Sequence, residues 1–364
     1  MLKDIEITNF RCFEATKISG FKRVNLIGGQ NNAGKTAFLE AVLLNNCPRP
    51  RAIIELKRIR KETSDVVKAM PERAWDSFFF DQDRRTTIKI TGTSSQHIST
   101  IVEILVPDSN SISLSKGILE DDEDARKLLT LISKNEPNLS VLQIRVTQDN
   151  QETSKYPVIA TSDGGILALK NVPDYNNVPI ISSFARMSNK DLTEEYDKAR
   201  LNDKDEEIIK AFKILDPSIK KVESFSIGEP TLYLVRKEQK GRLPLSLFGD
   251  AINRVAAIML KLINNDYNFL LIDEIENGIH YTKQEKFWEH LFQIASDLDI
   301  QIFATTHSLE MIKAFTETGI SKYQDIGAYF EIARKPNSNS IIGINRDLET
   351  LKYAIEHGKG VRGE

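Results

Sequence analysis

Gly29-Gln30-Asn31-Asn32-Ala33-Gly34-Lys35-Thr36 is a full match to the phosphate-cradling pattern G-x-x-x-x-G-K-[ST]. The apolar run Arg23-Val24-Asn25-Leu26-Ile27 precedes it and reads as a buried strand, and Ala37 to Leu44 follows it as a helix. Strand, loop and helix are the context the pattern requires. Gly29 and Gly34 let the backbone curl around an anion, so that successive N–H groups and the positive helix end address the same phosphate oxygens. Asn31, Asn32 and Ala33 complete the cradle, Lys35 adds a cation for the terminal phosphates, and the Thr36 hydroxyl is placed to ligate Mg²⁺. A glycine-rich turn that carries Lys-Thr by chance is the plain alternative.

Working outward, the carboxylates that such a loop needs lie far along the chain. Asn268-Phe269-Leu270-Leu271-Ile272-Asp273-Glu274 is an apolar strand ending in two acids. A buried strand can hold Asp273 at its tip for Mg²⁺, directly or through water, while Glu274 orients and deprotonates the attacking water. Beyond an amphipathic helix through Phe287 and Leu291, the strand Ile300 to Thr306 carries His307 at its end. A structural histidine is the alternative there.

Composition sets the frame. With 364 residues, 40% hydrophobic and 28% charged, the chain reads as a soluble globular protein of one large domain or two lobes. A net charge of −3 gives no global nucleic-acid footprint, so any such contact needs a local patch. Cys12 and Cys47 are too few for a disulfide framework or a zinc site and fit a reducing compartment. No apolar run approaches the roughly 18 residues of a membrane span, and the N-terminus alternates like a strand, so a cytoplasmic location is expected.

The middle of the chain is less distinctive. Residues 49 to 61 hold six basic residues against Glu55, with Ile53, Leu56 and Ile59 at helical spacing, and read as an amphipathic helix with a wet basic face. A nucleic-acid contact by this face stays open. From about Thr86 to Lys170, short β-prone runs between Asp- and Asn-rich turns predict an antiparallel lobe, with a helical insert near Glu123 to Ser133. The acidic run Glu120 to Asp124 reads as a solvated helix start rather than a metal site. Residues 189 to 222 read as two charged amphipathic helices, and Asp297-Leu298-Asp299 as a helix C-terminal turn.

Several of these residues together carry a family likeness. Asn9-Phe10-Arg11, the loop from Gly29 to Thr36, Leu245 to Arg254, Asp273-Glu274, Glu276-Asn277-Gly278 and His307 resemble ABC-type ATPases of the RecF, SMC and Rad50 kind. Within these the chain is most similar to the AAA15/AAA21 group. That group includes the ATPase module of the OLD (overcoming lysogenization defect) nucleases and of several anti-phage defence systems. The resemblance covers both ends of the chain and is weak from about residue 49 to 240.

The likeness implies an α/β fold: a P-loop NTPase of ABC-ATPase type with a mixed central sheet, an antiparallel β lobe and a helical insertion. It further implies ATP and Mg²⁺ as ligands, Arg11 near the nucleotide, and His307 as the switch histidine on the γ-phosphate. Ser246 and Gly249 take the place of the signature whose serine and glycine grip the γ-phosphate held by the other subunit of a homodimer or higher homo-oligomer. Leu247, Phe248 and Ala251 replace the small residues common there. Gln82 lies in the region where the family places a Mg²⁺-sensing glutamine, at loose spacing, and the resemblance does not fix which residue takes that role. No sustained heptad supports the long coiled-coil arms of SMC or Rad50.

OLD nucleases continue into a Toprim domain, for which the 57 residues after His307 are too few. The expectation is therefore a free-standing ATPase with any effector, a nuclease or toxin, on another chain. Within one domain, residues 1–48 and 225–364 are expected to form the nucleotide-binding core, 49–185 a β-rich lobe and 186–224 a helical insertion. A nucleotide-sensing scaffold with negligible turnover is the competing reading. A GTPase would want an Asn-Lys-x-Asp loop, whose spacing Asn189-Lys190-Asp191 lacks, and no acceptor pocket for a kinase is evident in the sequence.

Overall fold

The computed structural model describes residues 1–62, 64–107, 139–149, 151, 154–163, 165–168, 178–183, 187–237, 241–248, 250–264, 268–335, 338 and 340–361. The chain divides into two compact units, residues 1–20, 32–178 and 332–344 in the first and 21–31, 179–331 and 345–364 in the second. The Glu120–Asp124 run and the helix expected near Glu123 to Ser133 lie outside the described residues.

The first unit is built on a seven-stranded sheet. Its strands are β1 (Leu2–Phe10), β2 (Phe13–Ser19), β4 (Ile88–Ser94), β5 (Ser99–Leu105), β6 (Leu139–Gln148), β7 (Ser154–Thr161) and β8 (Gly165–Ala168). Their order is β2-β1-β4-β5-β6-β7-β8, with every neighbouring pair antiparallel. The antiparallel lobe read from the sequence is thus present, and it also takes in β1 and β2. Ile88 and Ile90 alternate with exposed Lys89, the period-2 pattern of a sheet with one covered face. Helix α1 (Lys35–Asn46) covers that face and is buried from Ala37 to Asn45, Glu40 included. It approaches so closely that a Cβ on Gly92 would stand 2.0 Å from Asn45 Oδ1.

Helix α2 (Pro50–Ile59) follows, with α3 (Ser64–Ala69) beyond it. Ile53 and Leu56 are buried as their spacing predicts, but the basic face is not uniformly wet. Lys57 is 3% exposed and pairs with Glu62, and Arg60 turns back to Glu40. Acids of the same unit, buried Glu40 and half-buried Glu62, claim these cations, which a one-dimensional charge pattern does not reveal.

The second unit contains a run of parallel strands in the order β15-β3-β14-β13-β9, namely β15 (Gly327–Arg334, of which residues 327–331 belong to this unit), β3 (Val24–Gly28), β14 (Gln301–Thr305), β13 (Phe269–Ile272) and β9 (Ile180–Ile181). All residues of β3 and β14 are buried, as continuous apolar runs in parallel sheets require. Packing around this sheet are α6 (Asp250–Asn264), α7 (Gln284–Asp297), α8 (Leu309–Lys322) and α9 (Leu348–Glu356). Helix α7 buries Phe287, Trp288, Leu291 and Phe292, and Trp288 meets Phe315 of α8 edge-on at 4.9 Å.

Helices α4 (Asn189–Leu201) and α5 (Asp205–Leu215) pack on α6. The Ser188 side chain and Asp191 close α4 with a reciprocal capping box. Residues 219–222, read as the end of the second helix, instead begin β10 (Ile219–Phe225), which forms an antiparallel sheet with β11 (Thr231–Arg236) and β12 (Leu243–Pro244). Pro217 explains the difference, because it lacks an N–H and biases Asp216 away from helix.

Candidate functional site

The second unit gathers three strand ends at one edge of its parallel sheet. In register, Thr305 of β14 faces Ile27 of β3, and Ala304 faces Ile272 of β13. The Thr306 N–H extends the ladder to the Ile27 carbonyl at 2.9 Å. The residues that leave these strands are consequently neighbours: Gly28-Gly29, Asp273-Glu274 and Thr306-His307. This is the carboxyl edge of an α/β sheet, where ligands of such folds bind.

Gly28 ends β3 under Tyr329, whose hydroxyl would lie 2.0 Å from a Cβ there, so no side chain fits. Gly29 has φ 151° and Asn32 φ 60°, and Gln30, Asn31 and Asn32 are exposed while Ala33 is buried. The chain passes from the second unit to the first between Asn31 and Asn32. In the first unit Gly34 has φ 100°, and a Cβ on it would meet Cys12 Sγ at 2.8 Å, so glycine is required on both counts. Helix α1 begins at once with Lys35 and Thr36. No side chain caps its N-terminus and its first turn holds no acid, an end suited to an anion.

Asp273 is 3% exposed at the tip of β13, and its Oδ1 accepts from Thr305 Oγ1 at 2.6 Å. The Glu274 N–H donates to the same Thr305 Oγ1 at 2.9 Å, and the Glu274 backbone is left-handed at φ 49°. A non-glycine residue there is held against its preference. The hold comes from Arg254 of α6, which donates through Nη1 to Ser182 O at 2.8 Å and through Nη2 to Asp273 O and to Glu274 O at 3.1 Å. Burial lowers the pKa of this guanidinium, while the carboxylates of Asp273, Glu274 and Glu276 act to raise it. On the Glu274 side chain, Oε2 accepts from Asn277 Nδ2 at 2.8 Å.

His307 follows β14 and precedes α8, which Ser308 caps by accepting from Met311 N–H at 3.1 Å. Its backbone N–H and its Nδ1 both lie 2.9 Å from Glu276 Oε1. Ser246 sits, exposed, in a short helical turn from Leu245 to Phe248 just before α6. Leu245 anchors that turn in the core, and Leu247 beside Ser246 is 70% exposed. Gly249 lies outside the described residues.

Arg11, in the first unit, has φ 53° at the turn between β1 and β2. Its Nε donates to Glu40 of α1 at 2.9 Å, Nη1 donates to Ser77 O at 2.7 Å, and the guanidinium stacks 4.4 Å above the Phe78 ring. Glu40 is fully buried and receives Arg60 on its other oxygen at 2.6 Å. Arg11 thus faces the helix that carries Lys35 and Thr36. Gln82 is exposed at φ 58°.

The oxygen donors present suit a hard cation. In the second unit Asp273 offers a buried carboxylate, and among the described residues no group of three or more His, Cys, Asp or Glu could hold a metal ion. Mg²⁺ bound through one carboxylate, phosphates and water needs no such group.

Sequence reading missed Arg254 and Thr305 as parts of this arrangement. The only signal for Thr305 was its place two residues before a strand-end histidine, and Arg254 carried none beyond its helix.

Strand, phosphate loop and helix, with an acid-tipped parallel strand in the same sheet one strand away, define a P-loop ATPase. The chain belongs to the family described as "AAA domain, putative AbiEii toxin, Type IV TA system", whose profile matches residues 24–313. It is 26% identical over 386 residues, covering all of both chains, to a Helicobacter pylori protein described as an ATP/GTP phosphatase. A second relative is the DNA double-strand break repair Rad50 ATPase of Archaeoglobus fulgidus, 27% identical over 157 residues, which are 37% of this chain and 17% of that one. Among solved structures, an Smc head bound to the C-winged helix domain of ScpA superposes with a TM-score of 0.50 at 10% identity, covering 97% of this chain and 99% of that one. That likeness supports the fold. Among the described residues no helix is long and apolar enough to cross a membrane.

Proposed function

We propose that this ATPase binds and hydrolyses Mg-ATP between two copies of itself arranged head to tail, and that hydrolysis switches a separate effector protein. In this reading Gly29, Asn31, Asn32, Ala33 and Gly34 wrap the phosphates, Lys35 neutralises the terminal ones, and Thr36 and Asp273 would hold Mg²⁺. The metal's contribution is to draw charge from the phosphoryl oxygens. Glu274 accepts the proton of the attacking water, His307 meets the γ-phosphate, and Arg11 acts near the nucleotide. Ser246 and Gly249 cap the phosphate bound by the partner copy.

The observation that carries the reading is the alignment of β3, β14 and β13, which brings Gly29, His307 and Asp273-Glu274 to one sheet edge. The exposed turn at Ser246 and Leu247 supports a surface that completes its contacts on another molecule. The family resemblance points to a cytoplasmic setting in phage defence or genome maintenance, with a nuclease or toxin as effector and nucleic acid as a further partner class.

A second reading, a nucleotide-sensing scaffold of negligible turnover, is favoured by the hydrogen bond that engages Glu274 with Asn277. Phosphate release by the purified chain, with Mg²⁺ and with chelator, separates the two. Metal-dependent turnover well above buffer blanks supports hydrolysis, and nucleotide binding at blank rates supports the scaffold.

A further inference from the structure

Glu276 lies two residues beyond Glu274, in the turn after β13 closed by Asn277 N–H to Glu274 O at 3.0 Å and Ile279 N–H to Glu276 O at 2.9 Å. Its side chain is 10% exposed, against 49% for His307. One oxygen, Oε1, receives two groups of that histidine, the backbone N–H and Nδ1, each at 2.9 Å. The other oxygen, Oε2, is buried and has no hydrogen-bond partner among the described residues. A carboxylate that accepts from the main chain and the ring of one residue fixes both where that residue starts and how its imidazole is turned.

The ionisation logic follows from the donor inventory. An ionised carboxylate only accepts, so the proton between Glu276 and His307 belongs to Nδ1. The neutral ring then carries its lone pair on Nε2. To donate from Nε2 to a phosphate oxygen, the ring must bear both protons, and the carboxylate on Nδ1 supplies the counter-charge for that state. In both states Glu276 engages Nδ1, so a phosphate contact would fall to Nε2. The acid two residues earlier, Glu274, does not share this task, because its carboxylate is engaged by Asn277.

We infer that Glu276 is the positioning residue for His307, holding the ring in its Nδ1–H form and orientation so that Nε2 addresses the γ-phosphate of bound ATP. The phosphate half of this statement rests on the function proposed above. The tautomer half stands on the Glu276 contact alone.

The test combines a spectrum with a kinetic cycle. Nitrogen-15 NMR of the full chain, with His307 assigned by its loss in His307→Ala, should show the Nδ1–H form in the wild type. Glu276→Ala should shift it toward Nε2–H, whereas Glu276→Gln should keep it, because the amide oxygen still accepts from the backbone N–H and from Nδ1–H. In turnover assays Glu276→Ala should lower kcat by about 10²-fold, within the usual range for a positioned proton-transfer group, and leave the KM for ATP within about 3-fold. The Glu276→Ala, His307→Ala double variant should be no slower than His307→Ala alone.

An unchanged tautomer in Glu276→Ala, its loss in Glu276→Gln, or additive losses in the double variant overturns the inference. If the alanine protein does not fold, the glutamine variant still decides it through the tautomer. A tautomer that switches while kcat holds supports Glu276 as the residue that orients the ring, and refutes instead the phosphate role of His307.

Discussion

Arg254 donates from Nη2 to the carbonyl oxygen of Glu274 at 3.1 Å, and that glutamate holds a left-handed backbone at φ 49°. The same nitrogen serves the Asp273 carbonyl, and Nη1 reaches Ser182 O, so one guanidinium satisfies three main-chain oxygens around the two acids. Arg254→Ala should remove the guanidinium bonds to all three oxygens, leave Glu274 O its bond from Asn277 N–H, and loosen the Glu274 backbone. We expect turnover to fall at least about 10-fold and stability to fall by roughly 1.5–3 kcal/mol, the scale of a hydrogen bond to a charged group. Arg254→Lys should recover only part of either, since an ammonium cannot reproduce the planar fork. Urea melts and phosphate-release rates on the two variants check this; wild-type turnover in Arg254→Ala would dissociate the clamp from catalysis.

Lys35 opens α1 directly after Gly34, at a helix start that no side chain caps. If its ammonium serves the phosphates as proposed, Lys35→Ala should keep the fold and lose Mg-ATP affinity by about 10-fold or more, roughly 1.4 kcal/mol. Titration calorimetry measures the affinity and circular dichroism the fold. Unchanged affinity would remove Lys35 from the phosphate site.

What the sequence made legible was local. Val24 to Ile27, Phe269 to Ile272 and Gln301 to Thr305 read as buried strands because parallel strands covered on both faces need unbroken apolar runs, and all three form. The first helix of the 189–222 stretch and the β-prone runs from about Thr86 were equally local. Arg11 against Glu40 spans 29 residues, Thr305 against Asp273 spans 32, and Arg254 against the Glu274 carbonyl 20, so no periodicity within one element encodes them. The basic run at 49–61 misled for the same reason. Charge order along a helix does not disclose that Glu62 draws Lys57 inward, or that Glu40 takes Arg60.

Glu62 yields a prediction about pH. Burial acts to raise the pKa of its carboxyl, but hydrogen bonds from Lys57 and Ser77 and the nearby Arg11 charge outweigh it, and the pKa falls below the ordinary 4.5. A carboxyl depressed in the folded state binds fewer protons than in the unfolded chain. Its stabilisation is present above the unfolded value and is lost as pH falls through the folded one. Glu62→Gln should therefore destabilise the protein near neutrality, and the gap from wild type should close progressively below about pH 4.5. Urea melts across that range measure the gap. A gap that stays constant down the acid limb would show that packing, not charge, accounts for the loss.

The final prediction joins Glu274 to Ser246. Glu274→Gln keeps the shape of the side chain and leaves Asp273 in place, but removes the carboxylate proposed to accept the proton. Turnover should drop by about 10²- to 10⁴-fold, the range for a positioned general base. Unhydrolysed ATP should then accumulate between two copies, and light scattering should report an ATP-dependent dimer or higher oligomer for this variant. The exposed turn from Leu245 to Phe248 tests whether that assembly is head to tail. If Ser246 caps the phosphate held by its partner's Lys35, adding Ser246→Arg places bulk and charge at the joint, and the ATP-dependent species should disappear while each monomer still binds nucleotide. Wild-type turnover in Glu274→Gln would assign the base elsewhere. A double variant that assembles as well as the single one would place Ser246 outside the interface, because a cationic side chain cannot enter a closed phosphate cap without displacing the contacts that close it.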